Sequence, residues 1–178
     1  MNAQPKHQKL EENQDSRTAL VIAAKRLFAH HGYDGTTVKD IAEVAGVNVG
    51  LISYIFGGKE GLYRACLADF GKQNLEVARR ILQQPRSKEE VRVRLEMFFA
   101  ELTNAHLSEP EVTSILHREC SMDFPVALEI FQESFLPIFH YLLEFIQSAA
   151  KDGLLREGLN PLIATQIHFS SLTNAFRM

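Results

Sequence analysis

Residues 36–63 read TTVKDIAEVAGVNVGLISYIFGGKEGLY. Within this stretch Val38, Ile41, Ala42 and Ala45 follow the i, i+3, i+4, i+7 spacing of one buried helix face. Gly46 breaks that helix, and Val47 plugs the bend. Asn48 has the side chain to cap a second helix, which buries Leu51 or Ile52, then Ile55 and Phe56. Two short helices joined by a tight turn containing Gly form a helix-turn-helix. The second helix leaves Asn48, Val49, Gly50, Ser53 and Tyr54 on the face that no core requires. A face small at Gly50 and hydroxyl-bearing at Ser53 and Tyr54 fits a DNA major groove and reaches phosphates.

Upstream, Leu20, Val21, Ala24, Leu27 and Phe28 form the apolar stripe of a helix capped by Asp15 or Ser16 and ending near residue 31. Residues 1–14 are polar and rich in Gln, Lys and Glu, which predicts a flexible arm, with Lys6 and Lys9 in a solvated tail or along DNA phosphate. His30 and His31 suit the negative end of the helix dipole. As neighbours on a helix they point to different faces and do not form a metal pair. Thr36 or Thr37 caps the next helix.

Downstream of the Gly57-Gly58 break, Lys59 opens a helix to about residue 84, with Leu62, Ala65, Cys66, Phe70 and Leu75 inward. Gly71 sits inside it at a cost of about 1 kcal/mol relative to Ala, which marks a close helix crossing or a bending point. Ser87 and Glu90 spell a capping box for a helix with Val91, Leu95, Phe98, Phe99 and Leu102 on one stripe. Pro110 sits just inside the start of another, and Asp123-Phe124-Pro125 repeats that device. From Val126 to about Lys151 runs the most apolar helix, which Pro137 should kink. Asn160-Pro161 opens the last. No segment sustains a period of two, so the predicted fold is all-α: a three-helix head at 15–60 and a helical bundle at 61–178.

The run T-T-V-x-D-I-A-x-x-A-G-V-N-x-G-x-I-x-Y-x-F-G-G-K-E-G-L-Y resembles the DNA-binding domain of the tetracycline-repressor-like (TetR) family of bacterial transcription regulators. The resemblance implies a ligand-responsive regulator, most often a repressor, that binds double-stranded operator DNA as a homodimer. It implies that Thr37, Tyr54, Ser53 and Lys59 lie beside phosphates, the last despite the poor fit of a lysine to a helix start. Asn48 and Val49 are the candidates for base edges, since Asn pairs with adenine and Val touches a thymine methyl. It also implies that the helix from Lys59 passes the effect of ligand between head and bundle. Two features depart from the family pattern. Ser53 stands where the family usually has Tyr. The family typically ends with two antiparallel helices that build the dimer interface, whereas this sequence stops at Arg177-Met178.

For the effector, Phe98, Phe99, His117, Phe135 and Phe139 are the candidate pocket residues, and they point to a small apolar or aromatic molecule. His117-Arg118-Glu119 could supply its few polar partners, or equally form a solvated or interdomain surface.

Composition limits the alternatives. Net charge is −3, and residues 1–60 hold seven Lys/Arg against seven Asp/Glu, so the head is neutral and charge alone does not indicate nucleic acid. No run approaches the ~20 apolar residues of a membrane span, and the polar start lacks a signal-peptide core, so a cytoplasmic protein with no membrane association is expected. Cys66 and Cys120 read as buried, reduced thiols. His106, His117, His140 and His168 show no metal-ligand spacing, and neither a metal nor a cofactor is expected. No G-x-S-x-G, phosphate-binding loop, H-E-x-x-H or dinucleotide glycine pattern is present, which argues against an enzyme.

Overall fold

The structure, a computed structural model, describes residues 4–121 and 126–175, with side chains from 13–120 and 126–170. Every regular element among the described residues is helical. The order is α1 (Gln4–His31), α2 (Val38–Ala45), α3 (Gly50–Phe56), α4 (Lys59–Ile81), α5 (Lys88–Ser108) and α6 (Pro110–Ser121). There follow α7 (Leu128–Ile130), a wide π turn (Phe131–Phe135), α8 (Leu136–Lys151) and α9 (Pro161–Ala175).

The first helix begins at Gln4, eleven residues before the expected cap, so most of the predicted arm is helical backbone. A charged, Gln-rich segment without a core face extends a helix once the packed part downstream has nucleated it. The side chains of Lys6 and Lys9 lie outside the described residues, as does the predicted restart at Asp123-Phe124-Pro125. Beyond the head α4 stops at Ile81, three residues short of expectation. There Arg94 Nη1 donates to the Ile81 carbonyl at 2.7 Å and satisfies one of the helix's orphan acceptors.

Two hydrophobic cores support the chain. In the first, Leu20, Ala24 and Phe28 of α1 meet Ile41, Ile52, Leu62, Tyr63, Leu67 and Phe70. Val112 and Ile115 of α6 and Ile130 of α7 belong to the same core. A boundary at residue 60 therefore falls inside continuous packing, because α4 and α6 supply half of what the head is built on. Full burial of each large aliphatic or aromatic side chain there contributes about 1.5–3 kcal/mol. The second core joins Ala78 and Ile81 of α4, Val91, Phe98 and Leu102 of α5, and Ile138, Leu142, Phe145 and Ile146 of α8.

Gly71 is buried within an unbroken α4. A Cβ there would lie 2.8 Å from Ser134 Cβ and 3.3 Å from the Phe135 ring. The glycine lets α4 and the π turn cross in near contact. The expected single helix around Pro137 is instead two helices with that wide turn between them. Pro137 lacks an N–H and its ring clashes with the carbonyl four residues back. The chain relieves this one residue earlier, where the Leu136 N–H bonds to Phe131 O, five residues back.

At Ser87 the hydroxyl caps α5 by accepting from the Glu90 N–H at 3.1 Å. The return half of the box differs from expectation: Glu90 accepts from the Arg86 N–H and pairs with Arg94. Cys66 is buried, but Cys120, in the last turns of α6, is exposed, against the expectation that both thiols are buried. No described helix is long and apolar enough to cross a membrane.

Candidate nucleic-acid interface and ligand cavity

The turn between α2 and α3 is set by Gly46, in the left-handed region at φ 67°. Its N–H bonds to the carbonyls of Ala42 and Glu43, and the Val47 N–H follows onto Ala42 O at 3.0 Å. That closure of the α2 C-terminus requires a residue without a Cβ penalty at Gly46. Asn48 then accepts the Gly50 N–H on Oδ1 at 2.8 Å. The cap of α3 is Val49, which makes no side-chain cap bond, so Asn48 does not cap the helix as expected but braces its first N–H from one residue earlier, and its NH2 group keeps both hydrogens for other partners.

Within α3, Ile52 is completely buried and anchors the helix, while Leu51, Ile55 and Phe56 pack partly against the same core. The opposite face carries Asn48, Val49, Gly50, Ser53 and Tyr54, all exposed. Tyr54 is 76% exposed, an unusual cost for an aromatic side chain on a free surface. Gly57, at φ 76°, ends the helix with its N–H on Ser53 O.

Thr37 is the cap of α2. Its hydroxyl accepts the Asp40 N–H at 3.2 Å, and the Asp40 carboxylate accepts from both the Thr37 hydroxyl and the Thr37 N–H. These bonds hold the Asp40 carboxyl below its ordinary pKa. Thr36, the other candidate, is buried and its hydroxyl donates to Gly32 O at 2.8 Å, closing α1. The helix start that the resemblance assigns to a phosphate therefore already carries one carboxylate.

Lys59 is half-buried, with Nζ 4.2 Å above the centre of the Tyr33 ring. Tyr33 in turn stacks on Phe28 and meets Tyr63 edge-on. An aromatic face offsets the misfit of a cation at a helix start, so the lysine is oriented whether or not a phosphate is present. Arg17 of α1 lies over Phe56 at 5.0 Å, beside the end of α3. Sequence reasoning missed both Arg17 and Tyr33, because each contact joins residues far apart in the chain.

Behind the head lies a cavity of about 70 Å³ between α4, α5, α6 and the π turn. His117 and Phe135 line it. The other three candidates lie outside its lining. Phe98 is fully buried in the second core, Phe99 stacks on His168, and Phe139 packs edge-on against Phe169. Periodicity could not separate them, since a Phe stripe looks the same in a core and beside a void. The residues that periodicity missed are Phe70, Phe131 and Phe169, with Asn74, His106 and Thr113 as the polar groups among them. A buried Asn in the middle of a long apolar face was the available signal for Asn74.

One helix touches both cavity and head. His117 and Cys120 of α6 face the void, and the two residues between them face the other way. Arg118 donates to the carbonyls of Phe28 and Ala29 at 3.1 Å each, capping α1. Glu119, buried, accepts from the Tyr63 hydroxyl at 2.6 Å and from the Ala127 N–H at 3.1 Å. Lys25 of α1 pairs with Glu109 just before α6. The polar triplet, read either as ligand partners or as a solvated or interdomain surface, thus divides: His117 turns to the cavity, Arg118 and Glu119 to the head.

Residues 20–66 match the family described as bacterial regulatory proteins, tetR family. The chain is 36% identical over 92 residues to the HTH-type transcriptional repressor AcnR of Corynebacterium glutamicum, covering 47% of this chain and 49% of that protein. It is 40% identical over 81 residues to the HTH-type transcriptional dual regulator CecR of Shigella flexneri, covering 42% and 36%. The chain thus spans half or less of the length of these curated relatives. Its fold is similar to that of the ketosteroid transcriptional regulator KstR2 of Mycobacterium tuberculosis, with a TM-score of 0.74 at 21% identity over 90% of this chain and 81% of that one. The head, residues 20–66, thus matches the tetR family of bacterial regulatory proteins in sequence, and the chain as a whole is similar in fold to a solved transcriptional regulator.

Proposed function

We propose that the chain is a ligand-responsive transcriptional regulator, a repressor rather than an enzyme, that binds double-stranded operator DNA as a homodimer and leaves it when a small molecule enters the bundle. The observation that carries the reading is the outward face of α3: Ile52 is sealed in the core while Tyr54 stands 76% exposed on the other side. In this reading Thr37, Ser53, Tyr54 and Lys59 hold phosphates and set register, and Asn48 and Val49 meet base edges across the close approach allowed by Gly50. A neutral head is compatible with this, because only charge within a Debye length of about 8–10 Å of phosphate counts.

Two recognition helices on one duplex need two copies, with half-sites about a helical turn or a multiple apart. Leu162, Ile163 and Ile167 of α9 are each more than half exposed, which supports a second copy packing there. Ile163→Glu is expected to shift the chain toward monomer in sedimentation; an unmoved dimer would place the interface elsewhere. The ligand acts only through differential affinity for two head positions, and α6 supports such coupling by touching cavity and head at once. In this reading the protein acts in the cytoplasm.

The test is a gel shift with DNA flanking the protein's own gene, in the presence of excess unrelated competitor. Specific retention is the expected result. Retention that the competitor removes completely would overturn the operator reading.

A further inference from the structure

We infer that the cavity behind the head selects an uncharged, ring-bearing molecule that donates a hydrogen bond, such as a phenol or a cyclic alcohol, and that Asn74 receives that bond. The inference rests on the reading of this cavity as the effector site and names the chemistry it accepts.

Asn74 projects from α4 and is 3% exposed. Its Nδ2 donates to Phe70 O at 2.9 Å, and since a carbonyl only accepts, the amide orientation is settled. Oδ1 is then the acceptor end, and it receives no hydrogen bond from any described residue. That oxygen is open to a donor from the void that Asn74 lines, so a ligand that brings an O–H or N–H to Asn74 is favoured over one that does not.

The other polar groups do not invite charge. No Lys, Arg, Asp or Glu is among the described residues around the void. The Thr113 hydroxyl donates to His106 O at 3.0 Å. His106 holds Leu102 O through Nδ1, and burial keeps its pKa below the ordinary value, so that ring stays neutral. His117 also faces the void, but no permanent charge does, so an anionic or cationic headgroup would be desolvated there without a fixed counter-charge. Beside His117 and Cys120, most of the wall, including Phe70, Phe131, Phe135 and Ile138, is apolar and largely aromatic.

Size adds a consequence. About 70 Å³ is roughly half of the ~150 Å³ engineered cavity that admits benzene. A ring therefore enters only by displacing a wall. Phe135 belongs to that wall and also rests against α4 at Gly71, where there is no slack. Entry of a ring is thereby felt by the helix that leads to the head.

The experiment titrates the full chain, without DNA, with p-cresol, toluene and 4-methylbenzoate, followed by calorimetry and ligand-observed NMR. Binding of p-cresol about tenfold tighter than toluene, with 4-methylbenzoate weakest, is expected. Asn74→Leu should erase the preference for p-cresol and leave toluene unchanged. Leu116→Phe, which fills the void, should lose both, and serves alone if Asn74→Leu does not fold by circular dichroism. Equal or tighter binding of toluene or 4-methylbenzoate, no binding of any probe, a preference that survives Asn74→Leu, or p-cresol binding that survives Leu116→Phe overturns the inference. Because DNA is absent, those failures leave the operator reading standing, and a failed gel shift leaves this one untouched.

Discussion

The Tyr63 hydroxyl donates a 2.6 Å hydrogen bond to Glu119, and both side chains are buried. The bond joins α4, which opens beside the recognition helix, to α6, which lines the cavity. Glu119 also accepts from the N–H groups of Val126 and Ala127, so a single carboxylate orders three elements.

Removing either partner should be unequal in effect. Tyr63→Phe leaves Glu119 with its two amide donors and is expected to cost about 1 kcal/mol. Glu119→Ala leaves a buried hydroxyl and two amides without their acceptor, and is expected to cost about 3 kcal/mol or more. Urea unfolding of the two variants measures the difference; equal losses would mean that the amides already have other partners.

Stability should decline on the alkaline side. Burial raises the Cys66 thiol from 9.0 to about 12, and burial followed by the Glu119 bond raises Tyr63 further still. Unfolded thiols and phenols ionise first, so the unfolded state holds fewer protons than the folded one above about pH 9. The contribution is complete below pH 9 and is lost as pH climbs toward 12, with a slope of up to about 1.4 kcal/mol per pH unit for each group. Thermal melts between pH 8 and 10.5 should fall for the wild type and fall less steeply for Cys66→Ala.

Gly71→Ala sets two effects against each other. Helix propensity favours alanine by about 1 kcal/mol. The new methyl would sit 2.8 Å from Ser134 Cβ, and overpacking of this kind costs about 1–3 kcal/mol. The clash should win, giving a lower melting temperature. Adding Ser134→Gly removes the opposing atom and should recover most of the loss. A stabilised single variant would mean that the π turn yields readily.

On the DNA side, Tyr54→Ala should leave the melting temperature unchanged, because the side chain makes no core contact at 76% exposure. Its affinity for every duplex should drop by about tenfold, the scale of one lost phosphate contact with its apolar surroundings. Lys59→Ala should likewise weaken affinity for every duplex while also lowering the slope of affinity against salt by about one. A gel-shift series from 50 to 200 mM salt reads both.

The local part of this protein is legible in its sequence. The break at Gly46, the burial of Ile41 and Ala42, and the free face from Asn48 to Tyr54 follow from short-range rules, since helix periodicity and left-handed closures involve residues only a few positions apart. Even there the alternatives Thr36 and Thr37 needed the fold to part them, because one closes α1 while the other opens α2. Whatever depends on distant segments meeting was decided by tertiary structure alone. Phe98 and Phe135 carry the same side chain on similar stripes, yet one is core and the other faces a void, because a cavity is a property of how helices cross and not of any one helix. The same holds for Lys59 over Tyr33, for Arg118 on the end of α1, and for Asn74, which meets a void only because several helices converge around it.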